Sequence, residues 1–424
     1  MSEVHQNHLP KPPVQSTKIR SVDVVIVGGG IAGKACALGL AQLGLQTIEI
    51  APDLGQTVAA PQGSQWGQRI YAFSPSTQKL LAHLQIWDAL DHSRMQPVRD
   101  MRIYGDRGEK TDQLHLSAFE AGTPQLAWIG ESNLIEHTLD QASRFQNKLE
   151  RISDVIEKIE VDADGGTLHL KNGGAIRAQL IIAADGANSP IRSELGITTT
   201  EESYSQSAVV ANWTCTYPHL ETAFQWFLPS GDIVAMLPLP GKQVSMVWST
   251  SSEHAADLLK LNQDQWQERF SSIANGAIGK QLGELTLNSS PAAFPLRRIR
   301  AKRFIGPETA PKVVLIGDAA HVMHPLAGQG LNLGLRDVAV LLNILGKRES
   351  FRKPSDAVLL RRYERQRQGD TSALLWVTDK LKKLFSASSN AERQLRNWGL
   401  GLVNKSHFIK QRLIERALGD IDFD

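Results

Sequence analysis

Short β-branched runs bounded by glycine alternate with Ala- and Leu-rich stretches at the start of this chain. Val22-Asp23-Val24-Val25-Ile26-Val27 is the first such run and predicts a buried strand of the parallel type. Residues 31–43 predict a helix ending near Gly44, and residues 46–50 a second strand. Helical spacing returns at 78–90 and 131–145, with strand and turn at 102–115 between them. Residues 152–170 alternate like a β-meander that turns at Asp164-Gly165-Gly166. Residues 179–184 and 313–316 are again short, fully apolar runs. Between them, residues 208–249 alternate strictly and turn at Ser230-Gly231 and Pro240-Gly241, which predicts a second, more antiparallel sheet. From Leu331 onward the pattern is mostly helical. The two kinds of strand are interleaved along the chain, so two sheets share one sequence rather than following in blocks.

Composition narrows the picture. With 42% hydrophobic residues over 424, a sizeable core can be buried. A net charge of +2 is too mild for a nucleic-acid surface. The two cysteines, Cys36 and Cys215, form neither a CxxC pair nor a metal cluster, which fits a reducing compartment. Residues 1–20 are polar, carry Pro10, Pro12 and Pro13, and read as a disordered leader rather than a signal peptide. No apolar run reaches the roughly 20 residues of a membrane-spanning helix. The expectation is a cytoplasmic protein, with peripheral membrane contact left open.

Gly28-Gly29-Gly30-Ile31-Ala32-Gly33 matches G-x-G-x-x-G between a strand and a helix. Gly28 permits the tight turn, Gly30 lets the backbone approach a pyrophosphate, and Gly33 allows close helix–strand packing. The helix N-terminus then offers free N–H groups to the phosphates. A glycine-rich turn without a ligand is the bland alternative. A P-loop is the rival: Gly28 to Lys34 fits its first part, but Ala35 stands where a Ser or Thr must reach magnesium. A dinucleotide fold usually carries an acid at the end of its second strand to hold the ribose. Here that position is Ala51. Glu49 and Asp53 lie to either side, and Glu49 reads equally well as a solvated strand residue.

Two more strands end in acids. Leu180-Ile181-Ile182-Ala183-Ala184 runs into Asp185-Gly186, and Val313-Val314-Leu315-Ile316 into Gly317-Asp318. Carboxylates at the carboxyl ends of parallel strands sit where open α/β sheets bind ligands and can accept from ribose or ribityl hydroxyls. A helix then opens near Pro325-Leu326-Ala327-Gly328-Gln329-Gly330-Leu331-Asn332, where glycines leave N–H groups exposed. Each segment alone could be a capped turn; the three together point to one dinucleotide.

With these motifs in place, the chain resembles the class A flavoprotein monooxygenases, the para-hydroxybenzoate hydroxylase superfamily. It is most similar to the ubiquinone-biosynthesis ring hydroxylases of the UbiH, UbiF and UbiI type. The resemblance runs from about Val22 to Gly419. It is carried by Gly28–Gly33, by Ala184-Asp185-Gly186-Ala187-Asn188-Ser189, and by Gly317-Asp318-Ala319-Ala320-His321 through His324-Pro325 to Gly334. Softer matches are 235–239, 247–249, 294–296 and 362–365.

The resemblance implies an α/β fold: a Rossmann-like FAD-binding domain (21–95, 131–197 and 298–347) interleaved with a mostly antiparallel substrate domain (96–130 and 198–297). A C-terminal helical region (348–424) follows the two. FAD contacts are implied at Gly28, Gly30, Ile31, Ala32, Gly33, Arg69, Asp185, Gly317, Asp318, Pro325, Gly328, Gln329, Gly330, Leu331 and Asn332. Ser132 and Asn133 lie where the family helix touches the flavin. The chain departs from the family at Ala51 and at Lys34, where an apolar residue is usual.

The implied reaction is hydroxylation of an aromatic ring with O2 through a flavin hydroperoxide, with NAD(P)H or another donor engaged transiently. The cofactor carries the hard chemistry, so no catalytic side chain is assigned and no metal is expected. Pro325 and the Gly330, Leu331 and Asn332 backbone are placed near the flavin ring. His321 and His324 read as turn holders before acids or bases. Phe224, Trp226, Phe227, Met236 and Trp248 are candidate cavity residues, with ordinary sheet core as the alternative.

The implied substrate is a polyprenylated phenol. The alternatives are a soluble aromatic substrate, or a non-catalytic flavin-binding subunit of a biosynthetic complex. The basic run Arg297-Arg298-Ile299-Arg300-Ala301-Lys302-Arg303 reads as a solvated strand face, and the Lys- and Arg-rich helices after residue 380 as amphipathic cover.

Overall fold

The structure is a computed structural model describing residues 19–52, 63, 66–105, 113–274, 278–323 and 329–385, with 274, 329 and 373–385 described by backbone alone. Asp53, His324, Pro325, Gly328, most of the leader and the chain beyond 385 lie outside the described residues, as does the Gln329 side chain.

β1 (Arg20–Val27), α1 (Ile31–Gln42) and β2 (Thr47–Ala51) form the opening strand–helix–strand unit. β3 (Ile70–Phe73), α2 (Pro75–His83), β4 (Gln96–Val98), β5 (Asp100–Tyr104), β6 (Gln113–Ser117), β7 (Ala127–Glu131) and α3 (Ser132–Ser143) follow. Next come β8 (Leu149–Ser153), β9 (Ile156–Val161), β10 (Gly166–Leu170), β11 (Ala175–Ala183) and α4 (Pro190–Glu194). The antiparallel region holds β12 (Thr199–Cys215), β13 (Thr222–Phe227), β14 (Ile233–Leu239), β15 (Gln243–Ser251), α5 (Ser252–Leu258) and α6 (Gln263–Ala274). It ends with α7 (Gly279–Leu282), β16 (Leu285–Leu287) and β17 (Ala292–Ala301). β18 (Ile305–Gly306), β19 (Val313–Leu315), β20 (His321–Val322), α8 (Gln329–Gly346) and α9 (Ala357–Phe385) complete the described chain.

The first sheet runs parallel in the order β19-β11-β1-β2-β8, with β18 antiparallel at one edge and the β9–β10 hairpin beside β11. Both faces of β1 are covered, which is why Val24, Val25 and Ile26 can all be buried in succession. α1 packs on α3 and α8, and the approach to α8 is close: a Cβ on Gly39 would collide with Leu342.

The predicted helix at 78–90 is shifted. α2 starts at Pro75, with Ser74 as its N-cap accepting from the Thr77 N–H. It ends at His83, followed by Leu84 as C-cap and by Gln85, whose φ of 59° is the left-handed conformation that closes a helix.

The second sheet has the order β20-β17-β12-β15-β14-β13-β5-β6, with β16 beside β12, and is antiparallel except where β13 meets β5. Its strands alternate between two apolar faces. Trp213, Trp226, Val234, Met236, Met246 and Trp248 point to the side covered by α5 and α6, where Trp213 stacks on Phe270 at 4.4 Å. Ala208, Val210, Ala223, Ala235, Leu237 and Val247 point the other way, toward an internal cavity. A small third sheet, β3-β7-β4, forms another part of the wall.

Candidate active site

β1, β11 and β19 are adjacent and parallel, so their carboxyl ends bring three loops together. Gly28 follows β1 with φ of 124°, and a Cβ there would strike the Ala184 carbonyl. Gly33 is as tight against the Gly28 carbonyl. Gly30 is different: an added Cβ meets no described atom within 4 Å, so open space lies before the loop. No side chain caps α1 and no acid sits in its first turn, which leaves its N–H groups for an anion. Gly317 lies in the left-handed region at φ 59° and approaches Ala32 and Gly334.

The two acids each have an unmet valence. Asp185 Oδ2 accepts from the Ile191 N–H at 3.2 Å, but Oδ1 is buried without a partner. Asp318 faces the cavity and makes no hydrogen bond or ion pair among the described residues. Burial pushes both carboxyls above the ordinary carboxylate range. Asp318 keeps an accessible face and lines the cavity, although protein packed around its carboxyl desolvates it.

Arg69 lines the same cavity, its guanidinium 5.6 Å from the Phe294 ring centroid and without a carboxylate partner among the described residues. Its backbone is fixed from both sides. The Ser132 N–H donates to the Arg69 carbonyl at 3.0 Å, and Glu131 accepts from Gly67 N–H while pairing with buried Arg94. Ser132 is thus a backbone tie, and its hydroxyl is 3.3 Å from Asn133 Oδ1.

An orphaned buried carboxylate oxygen, an arginine without a carboxylate partner among the described residues, an uncapped helix start, and a turn tight at Gly28 and Gly33 but open at Gly30 together fit the pyrophosphate and hydroxyls of FAD.

Several expected residues have other duties. The Asn332 side chain turns into the protein, accepting from Ser74 N–H and Thr77 hydroxyl and donating to the Ala72 carbonyl at 2.7 Å. It locks α8 to β3 and α2; the Gly330, Leu331 and Asn332 segment still lines the cavity. His321 is buried and bonded to Asp337 at 2.8 Å, so it braces the turn.

Glu49 is neither a solvated strand residue nor open to a ribose: it is fully buried and held by Arg151 at 2.8 Å. Arg151 also pairs with Asp140 at 2.6 Å, and Asp140 with Lys34 at 3.0 Å. This buried chain of charges accounts for the lysine at 34. Of the five aromatic and Met candidates for the cavity, only Phe224 lines it; Trp226, Met236 and Trp248 belong to the opposite face, and Phe227 is buried off the lining. The basic run is β17, where Arg297 bonds Asn188, Arg298 pairs with Glu202, and Arg300 donates to Ser372.

Three residues that sequence reasoning passed over organise the loops. Asp337 on α8 accepts from Gly317 N–H at 2.8 Å and from His321 on one oxygen, and from Arg367 of α9 at 2.6 Å on the other. Burial alone would raise its pKa, but His321 and Arg367 hold it below the ordinary range. Arg192 donates to the Ala187 and Ala319 carbonyls, tying the Asp185 loop to the Asp318 loop. A signal for Asp337 did exist: Arg336-Asp337 interrupts an otherwise apolar run.

The cavity measures about 490 Å³. The antiparallel sheet forms its floor, and Arg69, Asp318, Met323 and 330–332 form its opposite margin.

This architecture, a parallel nucleotide sheet facing an antiparallel sheet across an apolar cavity, defines a flavoprotein monooxygenase. The chain belongs to the family described as FAD binding domain, whose model matches residues 21–375, and within it to the ubiquinone-hydroxylase group. It is 33% identical over 399 residues to the 3-demethoxyubiquinol 3-hydroxylase of Escherichia coli, covering 94% of this chain and 98% of that one. It is 31% identical over 453 residues to the ubiquinone biosynthesis monooxygenase COQ6 of Homo sapiens, covering 93% and 92%.

Among solved structures, p-nitrophenol 4-monooxygenase PnpA of Pseudomonas putida DLL-E4 shares the fold with a TM-score of 0.73 at 18% identity, over 95% of this chain and 99% of that one. Klebsiella pneumoniae HpxO, complexed with FAD and uric acid, gives 0.69 at 20%, over 94% and 97%. The protein is an FAD-dependent aromatic-ring monooxygenase. No helix among the described residues is long and apolar enough to cross a membrane.

Proposed function

We propose that this enzyme hydroxylates a neutral, prenylated phenol or quinol of ubiquinone biosynthesis. The observation that carries this reading is the charge distribution of the cavity. Its described lining contains two charged residues, Arg69 and Asp318, both beside the cofactor loops; the sheet floor has none. A soluble aromatic acid would bury its carboxylate against that floor without a counter-charge, at high cost. A neutral ring with an apolar tail loses nothing there.

The glycine loop and α1 would hold the FAD pyrophosphate, Arg69 would lie beside it, and Asp185 and Asp318 would accept hydroxyls of the cofactor. When bound and reduced by a transient NAD(P)H, FAD would activate O2, one atom of which enters the ring while the other leaves as water. The protein positions the ring over an apolar floor and keeps water out. Backbone N–H groups at 330–332 stand where negative charge can be stabilised. Peripheral contact with a membrane or a biosynthetic complex goes with a lipid-borne substrate.

The test is twofold. Purified protein should show a flavin spectrum and release FAD, and a prenylated phenol should stimulate NAD(P)H oxidation with formation of the hydroxylated product. Turnover of aromatic acids alone would replace the substrate assignment. Failure to take up FAD would remove the cofactor assignment and leave a structural subunit.

A further inference from the structure

Two polar side chains project from the sheet floor into the cavity, Gln225 and Ser249. A serine hydroxyl can satisfy itself on nearby backbone. A glutamine carries two N–H donors and a carbonyl acceptor and has no such refuge. Gln225 is 7% exposed, and its amide has no hydrogen-bond partner among the described residues. The amide opens on the cavity, so water can serve it while the cavity is empty, and a ligand that displaces that water must replace its bonds or leave a costly unpaired amide.

The neighbours keep the amide accessible. Ala235 sits directly across from it on β14, and Ala223 precedes it by two residues on the same face. Both are small, while the larger Ile103 of β5 pairs with Gln225 on its other side, so the amide has room on the β14 side and lines the cavity. β13 also lies five places along the sheet from β20, the strand leading out of the Gly317–Asp318 turn. The amide therefore enters the cavity from a strand other than those nearest the Gly317–Asp318 turn.

We propose that Gln225 is a specificity-determining residue whose carboxamide binds an oxygen of the neutral aromatic substrate, on the ring edge turned away from the Gly317–Asp318 loop. The inference rests on the substrate reading above. A carboxamide suits this task because it can donate to a methoxy oxygen or exchange bonds with a hydroxyl, and it carries no charge that would draw an anion. A site built to pair such an oxygen rejects rings that lack it, since the amide is then left unpaired.

The experiment uses the FAD-loaded protein under anaerobic conditions. The probes are an alkyl-tailed methoxyhydroquinone and the two monophenols that each lack one of its hydroxyls. Dissociation constants are read from perturbation of the flavin spectrum. Wild-type protein should prefer the hydroquinone over one monophenol by roughly tenfold or more. Gln225→Leu, of similar volume, should erase that preference alone, with melting temperature and FAD affinity unchanged. Equal discrimination by wild type and Gln225→Leu, or none by wild type, overturns the role of Gln225 while leaving the substrate class standing. If wild type binds none of the three, the substrate reading falls and this inference with it. Gln225→Met serves as the second apolar replacement should the leucine variant fold poorly.

Discussion

A methyl group at Gly28 and one at Gly30 should have opposite consequences. Gly28 has φ of 124° and no room beside Ala184, so Gly28→Ala should destabilise the protein by about 1–3 kcal/mol or more. Gly30 has φ of −76° and open space, so Gly30→Ala should leave the cofactor-free melting temperature unchanged yet weaken FAD binding. Thermal melts without cofactor and FAD titrations separate the two effects. Asp318 offers a related test. Burial raises its pKa, so ionising it costs the empty protein stability. Asp318→Asn should therefore melt no lower than wild type without cofactor, while binding FAD roughly tenfold or more weakly. A large loss of stability without cofactor would instead mark Asp318 as structural. The tight turns at Gly28, Gly33 and Gly317 were legible because their backbone geometry or close packing admits few residues other than glycine. Glu49 was not. Its fate depends on Arg151, which lies on β8 some hundred positions away, and only the register of β2 on β8 brings the two together.

At the level of elements, strand parity decides what sequence alone leaves open. The alternation of 208–249 was clear, but both faces of β12 to β15 are apolar, so periodicity could not say which face meets the cavity. The tryptophans of β12, β13 and β15 went beneath α5 and α6, while the cavity face took mainly Ala208, Val210, Ala223, Ala235 and Val247, with Phe224, Ile233 and Leu237 among them. Residue size was the available clue: a floor that admits a ligand needs short side chains. Size also governs the packing of α1 on α8. Gly39→Val should force Leu342 aside and cost about 1–3 kcal/mol, measurable by urea unfolding. An unchanged midpoint would mean that α8 can slide without penalty.

Across the whole molecule, the interleaving of two sheets was visible in the order of strand types, whereas the strand neighbours were not. β19 joins β11 from more than a hundred residues downstream, and nothing local announces it. The same distance applies to Asp337, which gathers Gly317, His321 and Arg367 from three separate stretches. Because its native pKa lies below the ordinary 3.8, its contribution to stability is complete above that value and is lost as pH falls through the lower native one. Asp337→Asn should cost about 3–5 kcal/mol near neutrality, and the gap from wild type should narrow below pH 3.8. A gap that stays constant on acidification would show that another group sets the acid limit.

The link from Asp337 to Arg367 also fixes an order of events during synthesis. The glycine loop of the first strand leaves the ribosome early, but Asp337, which holds the turn at Gly317, gains its arginine partner only when Arg367 has emerged. The nascent chain therefore carries a half-built nucleotide groove through most of translation. A chain ending before residue 367 leaves Asp337, and the Gly317 turn it holds, without that arginine, and should melt at a lower temperature than the full chain.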